Sequence, residues 1–244
     1  LHEALRHYRF ELHYQPVRGA EDGQLHGAEA RVRWPHPRLG HLAAAKFLPL
    51  IEEAGLLRRL DRWVLAQAAI QLRSWDREGF DGWLAVHLSE ATWTGTGLEE
   101  DVSLALGPLE EVSPHRLVVQ LPADAEGNGR LMDGRREVGR LGPAVGLNAF
   151  EPGVVPVKRL RALEPEFICL NGGLLRVARN GPPAERLLEV TMDVGHTLGA
   201  RMMAKGVECR EQHAALRRAG CDLVEGYLVG WPVPPEEFPG DDPG

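Results

Sequence analysis

Short apolar runs alternate with longer segments whose apolar positions follow the helical period, from one end of the chain to the other. The runs predict strands at Phe10–Gln15, Gln24–Arg33, Leu84–Ser89, Arg116–Leu121, Ala144–Asn148, Glu166–Asn171, Arg201–Val207 and Leu223–Tyr227. Leu117-Val118-Val119 and Phe167-Ile168-Cys169-Leu170 are continuous apolar stretches, as expected for parallel strands covered on both faces. Between them the pattern predicts helices over Phe47–Glu53, Leu60–Glu78, Leu98–Leu106, Gly129–Leu141, Ala184–Leu198 and Glu211–Ala219. The second is the clearest, with Trp63, Val64, Leu65, Ala68, Ile70, Leu72 and Trp75 set among polar residues. Gly220 after Arg217 and Arg218 reads as a helix stop. Eight strands in one β-then-α rhythm predict an α/β fold, a TIM-like (β/α)8 barrel. It forms a single domain over residues 1–239, with a disordered tail at 240–244.

In such barrels the working groups sit at the carboxyl ends of the strands. Those ends read Gln15, Glu29, His87, Gln120, Asn148, Asn171, Lys205 and Glu225. Strands often end in polar residues where loops meet water. A polar residue at nearly every end also predicts a shared pocket or its remnant.

The chain has 244 residues and a formal charge of -7, so it can bury a sizeable core and has no general attraction for nucleic acid or anionic lipid. Its longest apolar runs, such as Phe47–Ile51, are too short to span a membrane, and no signal peptide is visible. The first residue is Leu1, which predicts a piece of a longer, multidomain polypeptide. Cys169, Cys209 and Cys221, odd in number and widely spaced, predict a reducing compartment, hence the cytoplasm. The ten histidines are scattered without metal-binding spacing and read as solvent-facing or packing residues.

At the strand ends the sequence resembles the EAL domain, the phosphodiesterase module of cyclic di-GMP signalling. Tyr14-Gln15-Pro16 resembles the family's opening YQP. Gly27-Ala28-Glu29-Ala30-Arg31-Val32-Arg33-Trp34 with His36-Pro37 resembles its GxEALxRW-x-HP stretch. Phe47–Leu56, Asp61–Leu65, Gly206-Val207-Glu208 and Gly226-Tyr227-Leu228 with Gly230 and Pro232 follow in the family's order. The resemblance implies a barrel of the EAL type, with or without one antiparallel strand.

It also implies two divalent cations held by carboxylates, and here the chain departs from the pattern. Glu29 keeps the first metal glutamate, but His87 stands for an asparagine, Gln120 for a metal glutamate and Ala123 for a loop-anchoring glutamate. Asn148 and Ala149 stand for paired aspartates, Cys169 and Asn171 for a lysine and an aspartate. Lys205 stands for the base, Glu208 keeps a glutamate, and Glu225 stands for a glutamine. The expectation is therefore a degenerate EAL domain that binds no metal, has no cofactor and is not an enzyme. It would serve as a signalling or protein-interaction module. The alternative is a receptor that binds cyclic di-GMP without cutting it, through Gln15, Arg33, Tyr227 and Pro232. Against that alternative stand Arg31 in place of a leucine and the loop Phe150–Val155, where Glu151 and Pro152 stiffen a segment the family keeps flexible. A protein partner is expected, a homodimer is possible, and neither nucleic acid nor membrane is expected to bind this segment. Cys169 reads as a small core residue rather than a reactive thiol. Arg31 is expected either in solvent, paired with Glu29 or Glu225, or standing in for metal beside Glu29. Lys205 is expected to point into the barrel mouth and to pair with Glu29 or Glu225.

Overall fold

The computed structural model describes residues 9–109, 111–123, 125, 128–152, 155–170, 172–173 and 182–238. Asn171 and the 240–244 tail lie outside the described residues. The strands are β1 (Glu11–Gly19), β2 (Leu25–His36), β3 (Gly40–Ala43), β4 (Trp83–His87), β5 (Leu117–Pro122), β6 (Ala144–Phe150), β7 (Phe167–Leu170), β8 (Arg201–Lys205) and β9 (Leu223–Glu225). Their order is β1-β9-β8-β7-β6-β5-β4-β2-β3, and β1 also pairs with β2, so eight strands close into a barrel and β3 hangs on β2 as a hairpin. β1 runs antiparallel to both of its neighbours, while the pairs from β2–β4 round to β8–β9 are parallel. The TIM-like barrel with one antiparallel strand is therefore the observed fold.

Helices α1 (Leu48–Glu53), α2 (Leu57–Arg77), α3 (Glu90–Thr94), α4 (Leu98–Leu106), α5 (Asn128–Leu141), α6 (Val157–Leu163), α7 (Pro182–Thr197) and α8 (Arg210–Arg218) pack outside. The short α3 and α6 and the strand β3 have no counterpart among the predicted elements. Along α2, Leu60, Val64, Leu65, Ala68, Ala69, Leu72 and Trp75 are buried, whereas Ile70 is half exposed. Trp75 meets Tyr14, Phe80 and Phe238 edge-on or tilted, joining α2 to β1 and to the end of the described chain.

Strand residues alternate between two apolar layers. Outward-facing Leu84, Val86, Leu117, Val119, Val145, Leu147, Ile168 and Leu170 belong to the large core beneath the helices. Inward-facing Val17, Ala85, Val118, Ala144, Phe167, Cys169, Met203 and Leu223 form a separate plug that fills the lumen. Gly27 is needed at the lumen floor because a Cβ there would lie 2.4 Å from the Trp83 indole. This plug gives the polar residues of the next layer up a dry floor to stand on.

Candidate functional site at the barrel mouth

With a period of two residues, the inward positions above the plug are Glu29, His87, Gln120, Asn148, Lys205 and Glu225. Register brings them level: His87 pairs with Gln120, Lys205 with Glu225, and Gln15 with Glu29. Gln15 is thus a member of the layer, but not at a strand's carboxyl end as expected. β1 runs the opposite way and Gln15 lies in its middle, its Nε2 donating to the Gly230 carbonyl at 3.2 Å.

Apart from Gln15, the layer is one connected network. Arg31 reaches Glu29 at 2.9 Å and also pairs with Glu225. Lys205 pairs with the other oxygen of Glu29 and donates to Gln120 Oε1 at 2.9 Å and to Asn148 Oδ1 at 2.6 Å. Asn148 Nδ2 lies 3.2 Å from His87 Nδ1, and Gln120 Nε2 lies 3.5 Å from Cys169 Sγ. The Gln120 backbone is held in turn by the Trp93 indole N–H at 3.2 Å. The expected pairing of Lys205 is the observed one, with Glu29 as its partner. Arg31 takes the paired alternative, bridging both carboxylates.

Two carboxylates and two cations balance in charge, but not in proton affinity. Burial opposes the charge on Glu29, and Arg31 and Lys205 more than offset it, so its pKa falls below the usual range. Glu225, at 1% exposure, goes the other way: burial and the charge of Glu29 push it up, against Arg31 and Lys205. Its Oε2 is buried without a hydrogen-bond partner among the described residues. Burial disfavours the Lys205 ammonium too, yet Glu29 leaves its pKa raised. Burial pushes the Cys169 thiol up to about 12, so it stays protonated at neutral pH.

The donor set does not fit the pair of divalent cations that the resemblance implies. Hard cations need several anionic oxygens. Both carboxylates here already hold cationic side chains, and both facing amide oxygens accept from Lys205.

Beside the network opens a cavity of about 350 Å³, lined by Gln15, Arg31, Arg33, Glu208, Tyr227 and Pro232 among others. The structure thus brings together the four residues expected around a ligand: Gln15, Arg33, Tyr227 and Pro232. Among the described residues, the Arg33 guanidinium donates to the Val32 carbonyl at 3.1 Å and forms no ion pair. Ala123 and Ala149 stand apart from the network. Ala123 is buried, with its N–H on the Asn148 carbonyl, and Ala149 is exposed at φ +57 where β6 bulges. Of the loop expected to be stiffened by Glu151 and Pro152, Gly153 and Val154 lie outside the described residues.

Two polar clusters escaped the sequence reading. Asp61 on α2 is buried and accepts from the Ser89 N–H, the Ser89 hydroxyl and the Thr92 hydroxyl, fastening α2 to the start of α3. Glu11, His13 and His41 also converge, although no spacing in the sequence links them. Position 41 lies on the hairpin, whose pairing had to be known first.

Comparison with known proteins places this geometry. Residues 1–232 match the family model described as EAL domain. The bifunctional diguanylate cyclase/cyclic di-GMP phosphodiesterase MucR of Pseudomonas aeruginosa is 29% identical over 244 residues, covering 98% of this chain. The cyclic di-GMP phosphodiesterase NbdA of the same organism is 31% identical over 246 residues, covering 96% of the chain. The chain spans only 35% of the length of MucR and 30% of NbdA. Among solved structures, the MucR phosphodiesterase in complex with c-di-GMP superposes with a TM-score of 0.91 at 28% identity, over 97% of both chains. The FimX EAL domain from Pseudomonas aeruginosa bound to c-di-GMP does so with a TM-score of 0.83 at 25% identity, over 95% of this chain and 94% of that one. These findings correct one expectation. The motif departures predict that the chain is not an enzyme, whereas NbdA, 31% identical over 96% of it, is named a cyclic di-GMP phosphodiesterase and points to an enzyme.

Proposed function

The chain belongs to the EAL domain family, and on that premise we propose that it recognises cyclic di-GMP in the cavity at its barrel mouth and works within cyclic di-GMP signalling. One observation carries the reading: Arg33, without an ion pair among the described residues, lines a cavity beside which the buried carboxylates Glu29 and Glu225 are held by Arg31 and Lys205. A cyclic dinucleotide is a dianion with two flat bases. It needs a cation not already committed, and buried carboxylates behind the wall that do not repel phosphate. Arg33 supplies the first. Arg31 and Lys205 supply the second by holding Glu29 and Glu225. Gln15 and the Pro232 and Tyr227 segment complete the cavity wall. The MucR complex with c-di-GMP, on the same fold, supports this choice of ligand.

The test is calorimetric titration of the folded protein with cyclic di-GMP. A charge-assisted hydrogen bond to phosphate contributes about 1.5–3 kcal/mol, so Arg33→Ala is expected to weaken binding about ten- to a hundredfold. Absence of binding by the folded protein, or an unchanged affinity in Arg33→Ala, overturns the reading. Since the relatives are phosphodiesterases, the same samples are analysed for the linear dinucleotide by chromatography.

A second reading, signal transmission through protein contacts, is favoured by an exposed aromatic pair. Tyr227 and Trp231 stack with centroids 3.9 Å apart, 51% and 63% exposed. With a second copy of the chain as the first partner tested, light scattering is expected to show self-association that Trp231→Ala reduces. A monomer at every concentration removes that partner.

A further inference from the structure

The rim of the barrel carries a second constellation, outside the carboxylate network. Glu11 and His13 are two residues apart on β1 and so share the inward face of that strand. Their partners on β2 are Arg33 and Arg31. On the other side of β2, His41 of β3 pairs with Pro35. The hairpin thus folds His41 back over β2 towards β1. Glu11 Oε2 lies 3.5 Å from His41 Nδ1 and 3.9 Å from His13 Nε2, and the three ligand atoms all lie within 4.8 Å of one another. The two imidazole centroids are 6.0 Å apart.

From this geometry we infer that Glu11, His13 and His41 form a binding site for a divalent ion of the zinc class. Bonds of about 2.0–2.2 Å to zinc put neighbouring ligand atoms of a tetrahedron roughly 3.4 Å apart. The two distances to Glu11 Oε2 are already close to that edge. The remaining approach can come from Glu11 and His41, which are both exposed and have rotamers to spare, while His13 is partly buried. Two imidazoles and one carboxylate select a borderline ion and discriminate against Mg²⁺, which prefers oxygen throughout. Three protein ligands leave a fourth position open to water or to an anionic oxygen. Arg33 and Arg31, cross-strand from Glu11 and His13, work against the ion's charge and weaken its binding. Bound there, the ion would tie the β2–β3 hairpin to β1 at the edge of the dinucleotide cavity.

The experiment uses the whole chain, stripped with chelator and titrated with Zn²⁺ alone by calorimetry. Co²⁺ absorption serves as a second readout of nitrogen-and-oxygen ligation. One equivalent is expected to bind, with no comparable heat from Mg²⁺. His41→Ala and Glu11→Gln, both at exposed positions, are each expected to weaken binding by at least tenfold. His196→Ala, which removes a histidine paired with Asp222 elsewhere, is expected to leave it unchanged. His13→Ala gives the same answer from the buried side, provided its circular dichroism spectrum is native. No stoichiometric Zn²⁺ binding by the folded protein, or binding that survives in the His41→Ala and Glu11→Gln variants, overturns the assignment.

Discussion

Replacing Lys205 with methionine isolates the central ion pair of the barrel mouth. The side chain is 13% exposed and its partner Glu29 only 2%, so water screens the pair weakly. At contact distance and an effective dielectric of about 20, the attraction is roughly 5 kcal/mol, and desolvation of the two charges cancels much of it. Removing one partner is harsher than that net value suggests, because it leaves the other charge buried; losses of about 3–5 kcal/mol are typical. Two further acceptors, Gln120 Oε1 and Asn148 Oδ1, lose their donor at about 1 kcal/mol each. Against this, Arg31 still holds Glu29 at 2.9 Å. The expected destabilisation is therefore about 3 kcal/mol. Removing the stranded carboxylate as well, in Glu29→Met with Lys205→Met, is expected to recover at least about 1.5 kcal/mol of it, a strong coupling in a double-mutant cycle. Urea unfolding followed by tryptophan fluorescence measures all four corners. A Lys205→Met variant within about 0.5 kcal/mol of the parent, or strictly additive losses, would refute the argument that this ammonium is held by a buried partner.

Glu225 predicts a pH effect of defined sign. Its folded pKa is raised, so its contribution is fully present below the ordinary carboxylate value near ~4.3 and is lost as pH rises through the folded value. Over that window stability is expected to fall by up to about 1.4 kcal/mol per pH unit from this group, and Glu225→Gln, measured by urea midpoints across pH, is expected to remove that slope; an unchanged slope would count against the raised pKa. Glu29 has the opposite sign. Its folded pKa is lowered, so it contributes above the unfolded value and loses stability as pH falls through the folded one, and Glu29→Gln is expected to flatten the acid limb. Ala149 holds φ +57, a left-handed conformation costing an L-residue roughly 1–2 kcal/mol. Ala149→Gly relieves that strain at a smaller entropic cost and is expected to stabilise the protein by about 0.5–1 kcal/mol in thermal melts; a lowered midpoint would refute it.

Much of the barrel is legible in the order of residues. Apolar runs such as Leu117-Val118-Val119 declare strands covered on both faces, and the spacing of Leu60, Val64, Leu65, Leu72 and Trp75 declares the long helix, because both periods are local properties of the chain. The inward positions of the mouth follow from the same period of two, which is why Glu29, Gln120, Asn148, Lys205 and Glu225 could be named together without coordinates. The short α3 and the hairpin strand β3 were not legible: unlike the equally short β7, with its unbroken apolar run, Gly40-His41-Leu42-Ala43 and Glu90–Thr94 carry no apolar pattern of their own.

What needed the tertiary structure is everything that depends on closure. Gln15 belongs to the layer only because β1 runs against its neighbours. Arg31 could have faced solvent; closure of β9 onto β1 sets it between Glu29 and Glu225 and makes one carboxylate easier to ionise and the other harder. The convergence of Glu11, His13 and His41 likewise exists only after the hairpin folds over β2. Secondary structure is written in neighbouring residues. The charge state of a buried site and the meeting of its ligands depend on through-space distances between residues far apart in sequence, and only the closed barrel sets those.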